Sequence, residues 1–262
     1  MGLLSVSTDA KTVKGEKQGY LTGILYLAPH TIAGVGNLCP NATAGCMAAC
    51  LYTAGRGVFN NVQSARIAKT KRFHADRSAF MAELVKDIAA LVRKAKRAGM
   101  TPVVRLNGTS DLPWENITVP MAPPAAHSPR SIMAMFPDVQ FYDYTKSVRR
   151  ARAHARGEMP ANYHLTFSRS ECNTNDCLSV LASGGNVAVV FGTRKGERLP
   201  IRWNNFTVLD GDSSDLRFRD TSKGVYGYVV GLRAKGPARK DRSGFVVSET
   251  DADLSGLHPI PA

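Results

Sequence analysis

Hydrophobic and polar positions along the chain follow two periods. Residues rich in β-branched and aromatic side chains recur at Tyr20 to Leu27, Val103 to Leu106, Val139 to Tyr144, Tyr163 to Phe167, Val187 to Phe191, Phe206 to Leu209 and Val225 to Val230. Such runs fit pleated, half-buried strands. Between several of them the apolar residues repeat at helical spacing, most clearly over Phe80 to Ala98, where Leu84, Val85, Ile88, Leu91 and Val92 form one stripe. Lys94, Lys96 and Arg97 load the last turn, where cations complement the helix dipole, and Gly99 supplies a stop. Alternation of strand and helix predicts an α/β fold with crossover connections and a mainly parallel sheet, and the expected architecture is an incomplete β/α barrel.

A chain of 262 residues, 44% hydrophobic, can bury one substantial core, so a single β/α domain over residues 1–262 is expected. The segment Pro113 to Pro129 holds five prolines and is too long for a tight connection, which predicts a surface excursion. Arg233 to Arg242 is basic and interrupted by glycine and proline, which predicts a loop or a mobile arm.

Charge narrows the partners. The 34 Lys and Arg against 21 Asp and Glu leave a formal charge of +13, which favours polyanions, DNA or RNA first among them. A merely solubilising surface is the plain alternative. No apolar run reaches the roughly 20 residues of a bilayer span, and the N-terminus lacks a basic n-region and a long h-region. Val6 stands where a myristoylation signal needs Ser or Thr. A cytoplasmic protein with no membrane partner is therefore expected. Five cysteines, three of them at Cys39, Cys46 and Cys50, suit metal or redox chemistry better than a disulfide framework and point to a reducing compartment.

Those three cysteines form a C-x6-C-x3-C arrangement after the first predicted strand. Thiolates are soft donors that suit zinc or an iron–sulfur cluster, and three protein ligands leave one metal position open. Packing of small, buried thiols is the alternative. Downstream, the glycine-flanked Arg56 and a helix carrying Arg66, Lys69, Lys71 and Arg72 offer backbone amides and cations to a phosphate. Polar clusters then follow three strands, at Arg105 to Asp111, Tyr142 to Lys146 and His164 to Glu171. Carboxyl ends of parallel strands share one side of a sheet, so these clusters are expected to line one cleft. There Asp111, Asp143 and Glu171 are candidates for acid–base work or for holding magnesium, with Lys146 beside them, while Arg105, Asn107 and Ser168 are candidates for substrate contact. Helix capping and surface pairing are the competing roles. Asp210, Asp212 and Asp215 fall in a turn-forming sequence and read as structural.

Cys39-Pro40-Asn41-Ala42-Thr43, Arg105 to Asp111 and Phe141-Tyr142-Asp143-Tyr144-Thr145-Lys146-Ser147, in this order, resemble the phage protein family of the gene-product-eighty-eight type. The resemblance spans roughly residues 20 to 170. It implies a phage or prophage origin, hence a host-cell cytoplasm and a nucleic-acid setting, and brings no reaction with it. Three functions are compatible with these residues. The first is a metal- or iron–sulfur-dependent enzyme acting on nucleic acid or nucleotides. The others are a non-catalytic basic nucleic-acid-binding or host-interaction protein, and a magnesium-dependent nuclease or phosphoryl-transfer enzyme.

Overall fold

A computed structural model of the chain describes residues 2–8, 10–120, 131–221 and 224–248. The elements run β1 (Leu4–Val6), α1 (Ala10–Glu16), β2 (Tyr20–Leu25), α2 (Ala44–Ala48), α3 (Asn60–Ala75), α4 (Arg77–Arg97) and β3 (Thr101–Arg105). They continue with α5 (Ile132–Met135), β4 (Gln140–Thr145), α6 (Val148–Ala155), β5 (Tyr163–Ser168), α7 (Thr174–Ala182) and β6 (Val187–Phe191). The last are β7 (Arg202–Trp203), β8 (Phe206–Asp210) and β9 (Val229–Arg233). The strands make a mainly parallel, open sheet and not a closed barrel, consistent with the expected incomplete one. Of the proline-rich segment, residues 121–129 lie outside the described residues.

The chain divides into two units, the first made of Met1–Pro40, Val58–Asp143 and Met159–His164, the second of Asn41–Gly57, Tyr144–Glu158 and Leu165–Ala262. In the first, β2 runs parallel to β3 and β3 to β4, while β1 pairs antiparallel with β2. Helix α4 covers this layer because its stripe is continuous: Phe80, Met81, Leu84, Ile88, Leu91 and Ala95 are buried, with Val85 and Val92 on the flanks. It begins three residues before the predicted start, since the Asp76 carboxylate accepts the Ala79 N–H at 2.8 Å and so caps the first turn. Strand β1 is too short for alternation to show. It is held by tertiary bonds instead: the Asp87 carboxylate accepts the Leu4 N–H at 3.2 Å and Lys69 Nζ donates to the Leu3 carbonyl at 3.1 Å.

In the second unit β5, β6, β9 and β8 are successive parallel neighbours, and β7 pairs antiparallel with β8. Phe167, Val187, Val189, Phe191 and Val229 pack with Val180 and Leu181 of α7 into its core. Strand β9 starts later than its apolar run. The reason lies at Gly227, whose N–H donates to the Leu181 carbonyl at 2.8 Å and whose Cα lies so close to the Gly185 backbone that no Cβ fits. Residues 224–227 therefore pack on the end of α7, and Val225 is left 81% exposed. The basic C-terminal region contains a single 3-10 turn, Gly236–Lys240. After it, residues 241–248 come alongside the end of β6, where Val247 bridges Phe191 in parallel: the Gly192 N–H donates to the Val247 carbonyl at 2.9 Å, and the Val247 N–H to the Val190 carbonyl at 2.8 Å.

Candidate functional site

In the first unit the strand-end residues form a closed network. Asn107 is 2% exposed, and its Oδ1 accepts from Ser110 Oγ at 2.9 Å, the Leu112 N–H at 2.9 Å and Trp114 Nε1 at 3.0 Å. Its Nδ2 donates to the Leu112 carbonyl at 2.9 Å and its backbone N–H to Asp143 Oδ1 at 2.7 Å. The Asp143 side chain is fully buried, and its Oδ2 accepts the Tyr163 hydroxyl at 3.0 Å. These residues satisfy one another and fix the course of the loop that follows β3. Asp111 extends the same loop, with its N–H donating to the Leu38 carbonyl at 2.8 Å. Arg105 is 6% exposed, and Arg66, 8% exposed, stacks its guanidinium 4.7 Å above the Tyr26 ring.

The second unit gathers Lys146, Ser168 and Glu171. Lys146 Nζ donates to Ser168 Oγ at 3.0 Å and to the Arg169 carbonyl at 2.9 Å, and lies 5.1 Å from the centre of the Phe245 ring. Glu171 accepts Thr43 Oγ1 at 2.7 Å and the Gly45 N–H at 2.8 Å. Burial pushes its carboxyl up, but the hydrogen bonds from its own backbone, Thr43 and Gly45, with the Lys146 charge, outweigh that and hold it below the usual glutamate range. A Cβ at position 45 would meet the Glu171 carboxylate and Ser243 Oγ, so any larger residue there would force these side-chain ends to shift. Arg169 Nη1 donates to the Gly244 and Phe245 carbonyls at 2.7 and 2.9 Å, fastening residues 241–248 to the end of β5. Burial pushes the Cys177 thiol up to about 12, against the opposing charges of Arg169 and Lys146, so it is an unreactive thiol at neutral pH.

The expected metal ligands fall in both units. Cys39, in the first, places its Sγ 3.9 Å from the Thr109 carbonyl. In the second, Cys46 packs against Ala49, Ala234, Ala238 and Phe245, and Cys50 Sγ accepts the Tyr52 N–H at 3.5 Å. Among the described residues no group of three His, Cys, Asp or Glu side chains is placed to hold a metal ion. Arg56 is exposed in the 3-10 turn Gly55–Val58. The acidic turn is structural: Asp210 and Asp212 pair with Arg233 at 2.9 and 3.2 Å.

A crevice that sequence patterns do not single out opens at the carboxyl ends of β6 and β9. It offers about 650 Å³ between Gly192 to Lys195, which follow β6, Ala234, Ala238 and Arg239, which follow β9, and Asp241, Val246 and Ser248 from the segment alongside β6. Arg194, Lys195 and Arg239 are exposed on it, whereas Thr193 is 2% exposed. The Thr193 hydroxyl has no hydrogen-bond partner among the described residues. Asp241 is committed to the wall, accepting from Ser243 Oγ at 2.7 Å and the Val246 N–H at 3.0 Å. Burial pushes its carboxyl up, but the bonds from Val246, Ser243 and Gly244 prevail and lower it. The only sequence signal for this site is position: parallel sheets bind ligands beyond the carboxyl ends of their strands.

The family described as Gene product 88 matches the chain over residues 3–249. No curated protein and no solved structure matches it. Among the described residues no helix is long and apolar enough to cross a membrane.

Proposed function

The chain belongs to the gene product 88 family of phage proteins, and we propose that it binds the phosphates of nucleic acid or nucleotides through the crevice beyond β6 and β9. One observation carries this reading. Three exposed cations, Arg194, Lys195 and Arg239, border a concave site of about 650 Å³ in which Asp241, the one carboxylate among the described lining residues, is engaged in its own wall. Concave sites of roughly 300 to 1,000 Å³ enclose small ligands, and a cationic rim attracts polyanions to them. The formal charge of +13 adds a long-range attraction to the same partners. In this reading the networks around Asn107 and Glu171 are scaffold: the first shapes the loop after β3, the second holds residues 43–45 against the end of β5.

The test is binding of a labelled single-stranded oligonucleotide by fluorescence anisotropy, to the wild-type protein and to a variant with Arg194, Lys195 and Arg239 all replaced by alanine. Neutralising about three phosphate contacts should reduce the salt slope of log affinity by about 2. A variant that binds with unchanged affinity and slope refutes the reading.

A further inference from the structure

We propose that Arg233 is a positioning residue for the crevice, holding the turn at residues 194–197 so that Arg194 and Lys195 are already presented when a phosphate arrives; this rests on the polyanion reading of the same crevice.

Local sequence makes the turn, and a side chain from β9 fixes it. The Glu197 N–H donates to the Arg194 carbonyl at 3.2 Å, and Gly196 takes a φ of 94°, the left-handed conformation that such a turn favours at its third position. The Glu197 carboxylate folds back and accepts the Arg194 N–H at 2.7 Å. Arg194 and Lys195 line the crevice from the first two positions of this turn. Water competes for both of these exposed bonds, so alone they hold the turn weakly. Arg233, the last residue of β9, adds the tertiary hold: its Nη2 and Nε donate to the Glu197 carbonyl at 2.7 and 3.2 Å. The guanidinium is itself fixed. Its Nη1 donates to the two Asp210 oxygens at 2.9 and 3.0 Å and to Asp212 Oδ2 at 3.2 Å, and the Arg233 side chain is 13% exposed. Arg233 is not one of the described residues lining the crevice, so its effect on a ligand runs through the turn. A cation held in place beforehand loses less conformational freedom when it meets a phosphate, and sparing that loss strengthens binding. This role has a signature distinct from charge. Phosphate contacts set the salt slope of log affinity, whereas an ordering cost weakens binding by the same factor at every salt concentration.

The experiment measures anisotropy of the labelled single strand over a range of salt with wild-type protein, Arg233→Lys, Glu197→Gln and Glu197→Ala, under conditions where urea unfolding shows each to be fully folded. Arg233→Lys keeps the charge, but an ammonium lacks the planar fork that meets Asp210, Asp212 and the Glu197 carbonyl together. It should weaken binding by about tenfold, the scale of ordering one or two long side chains, with the salt slope of wild type. Hydrogen exchange at the Arg194 and Glu197 amides should be faster in the same variant. Glu197→Gln and Glu197→Ala carry equal charge and differ in the acceptor for the Arg194 N–H, so the glutamine variant should bind more tightly than the alanine variant, by about threefold. Placed in the triple alanine variant, Arg233→Lys should cost nothing further. Wild-type affinity in Arg233→Lys, a weakening accompanied by a lower salt slope, or a loss that persists in the triple alanine background overturns the positioning role. If the triple alanine variant itself is weakened in that case, the polyanion reading stands without it; if the triple variant binds as wild type does, both fall.

Discussion

Replacing Asn107 with alanine removes five hydrogen bonds made through one buried side chain and leaves Trp114 Nε1, Ser110 Oγ and both backbone groups of Leu112 without this partner, together with one bond to Asp143. Each unmet buried donor or acceptor costs about 1 to 3 kcal/mol. A water admitted to the space vacated by the amide recovers part of that, so the net destabilisation should be about 3 to 5 kcal/mol, in the range that marks a broken buried network. For a chain of this size about 2 to 4 °C is lost per kcal/mol, which predicts a melting temperature lower by roughly 10 °C. Urea denaturation followed by tryptophan fluorescence should show the midpoint moving with the slope unchanged. Asn107→Asp is the companion variant. It keeps the Oδ1 acceptor but sets a second carboxylate beside buried Asp143, so its defect should ease on acidification as the pair takes up a proton. An alanine variant within about 0.5 kcal/mol of wild type would show that the amide is not a structural keystone and would return Asn107 to the candidates for substrate contact.

Three further outcomes follow from the same reasoning. Burial, then the Arg66 charge, lower the Lys69 ammonium to about 8 against the opposing pull of Asp87. An unfolded lysine titrates near about 10.4, so the unfolded chain holds more protons between these values and stability should rise with pH from about 8 to 10.4, by at most about 3 kcal/mol; in Lys69→Met that rise should disappear from urea unfolding measured across this window. Gly45→Ala drives a Cβ into the Glu171 carboxylate and Ser243 Oγ, so it should destabilise by about 1 to 3 kcal/mol, read as a lower urea midpoint. Glu171→Gln should speed hydrogen exchange at the Gly45 amide, and in wild type the same loosening should appear on acidification, because the lowered carboxyl stabilises the fold above the ordinary glutamate pKa and loses that contribution as pH falls through its own value.

Strands with strong apolar runs were legible in the sequence, and so was α4, because its stripe, cap and stop all agree. Elements stabilised from a distance were not. Strand β1 depends on Lys69 and Asp87, far away along the chain, and the start of β9 is set by the close approach of Gly227 to Gly185, which no local pattern encodes. The polar strand ends stand out in the sequence as clusters, yet their composition does not distinguish side chains facing solvent from ones satisfying each other. Asn107 and Asp143 turned inward in the first unit, while Lys146, Ser168 and Glu171 met in the second. Spacing brought Cys39, Cys46 and Cys50 forward together, whereas contacts put Cys39 at the Thr109 loop, Cys46 against the Ala49, Ala234, Ala238 and Phe245 cluster and Cys50 on the Tyr52 N–H. The crevice was invisible for the opposite reason. Gly192 to Lys195 has the composition of any surface loop, and its cations acquire meaning only when parallel pairing of β6 with β9 sets them beside Arg239.

Ultraviolet crosslinking of a photoreactive single-stranded oligonucleotide, with the attached peptides identified by mass spectrometry, locates the nucleic-acid contact on the chain. Crosslinks should concentrate on peptides containing residues 192–195 and 234–248 and be lost from the triple alanine variant; crosslinks confined to the basic surfaces of α3 and α4, and unchanged in that variant, would rule out binding at the crevice.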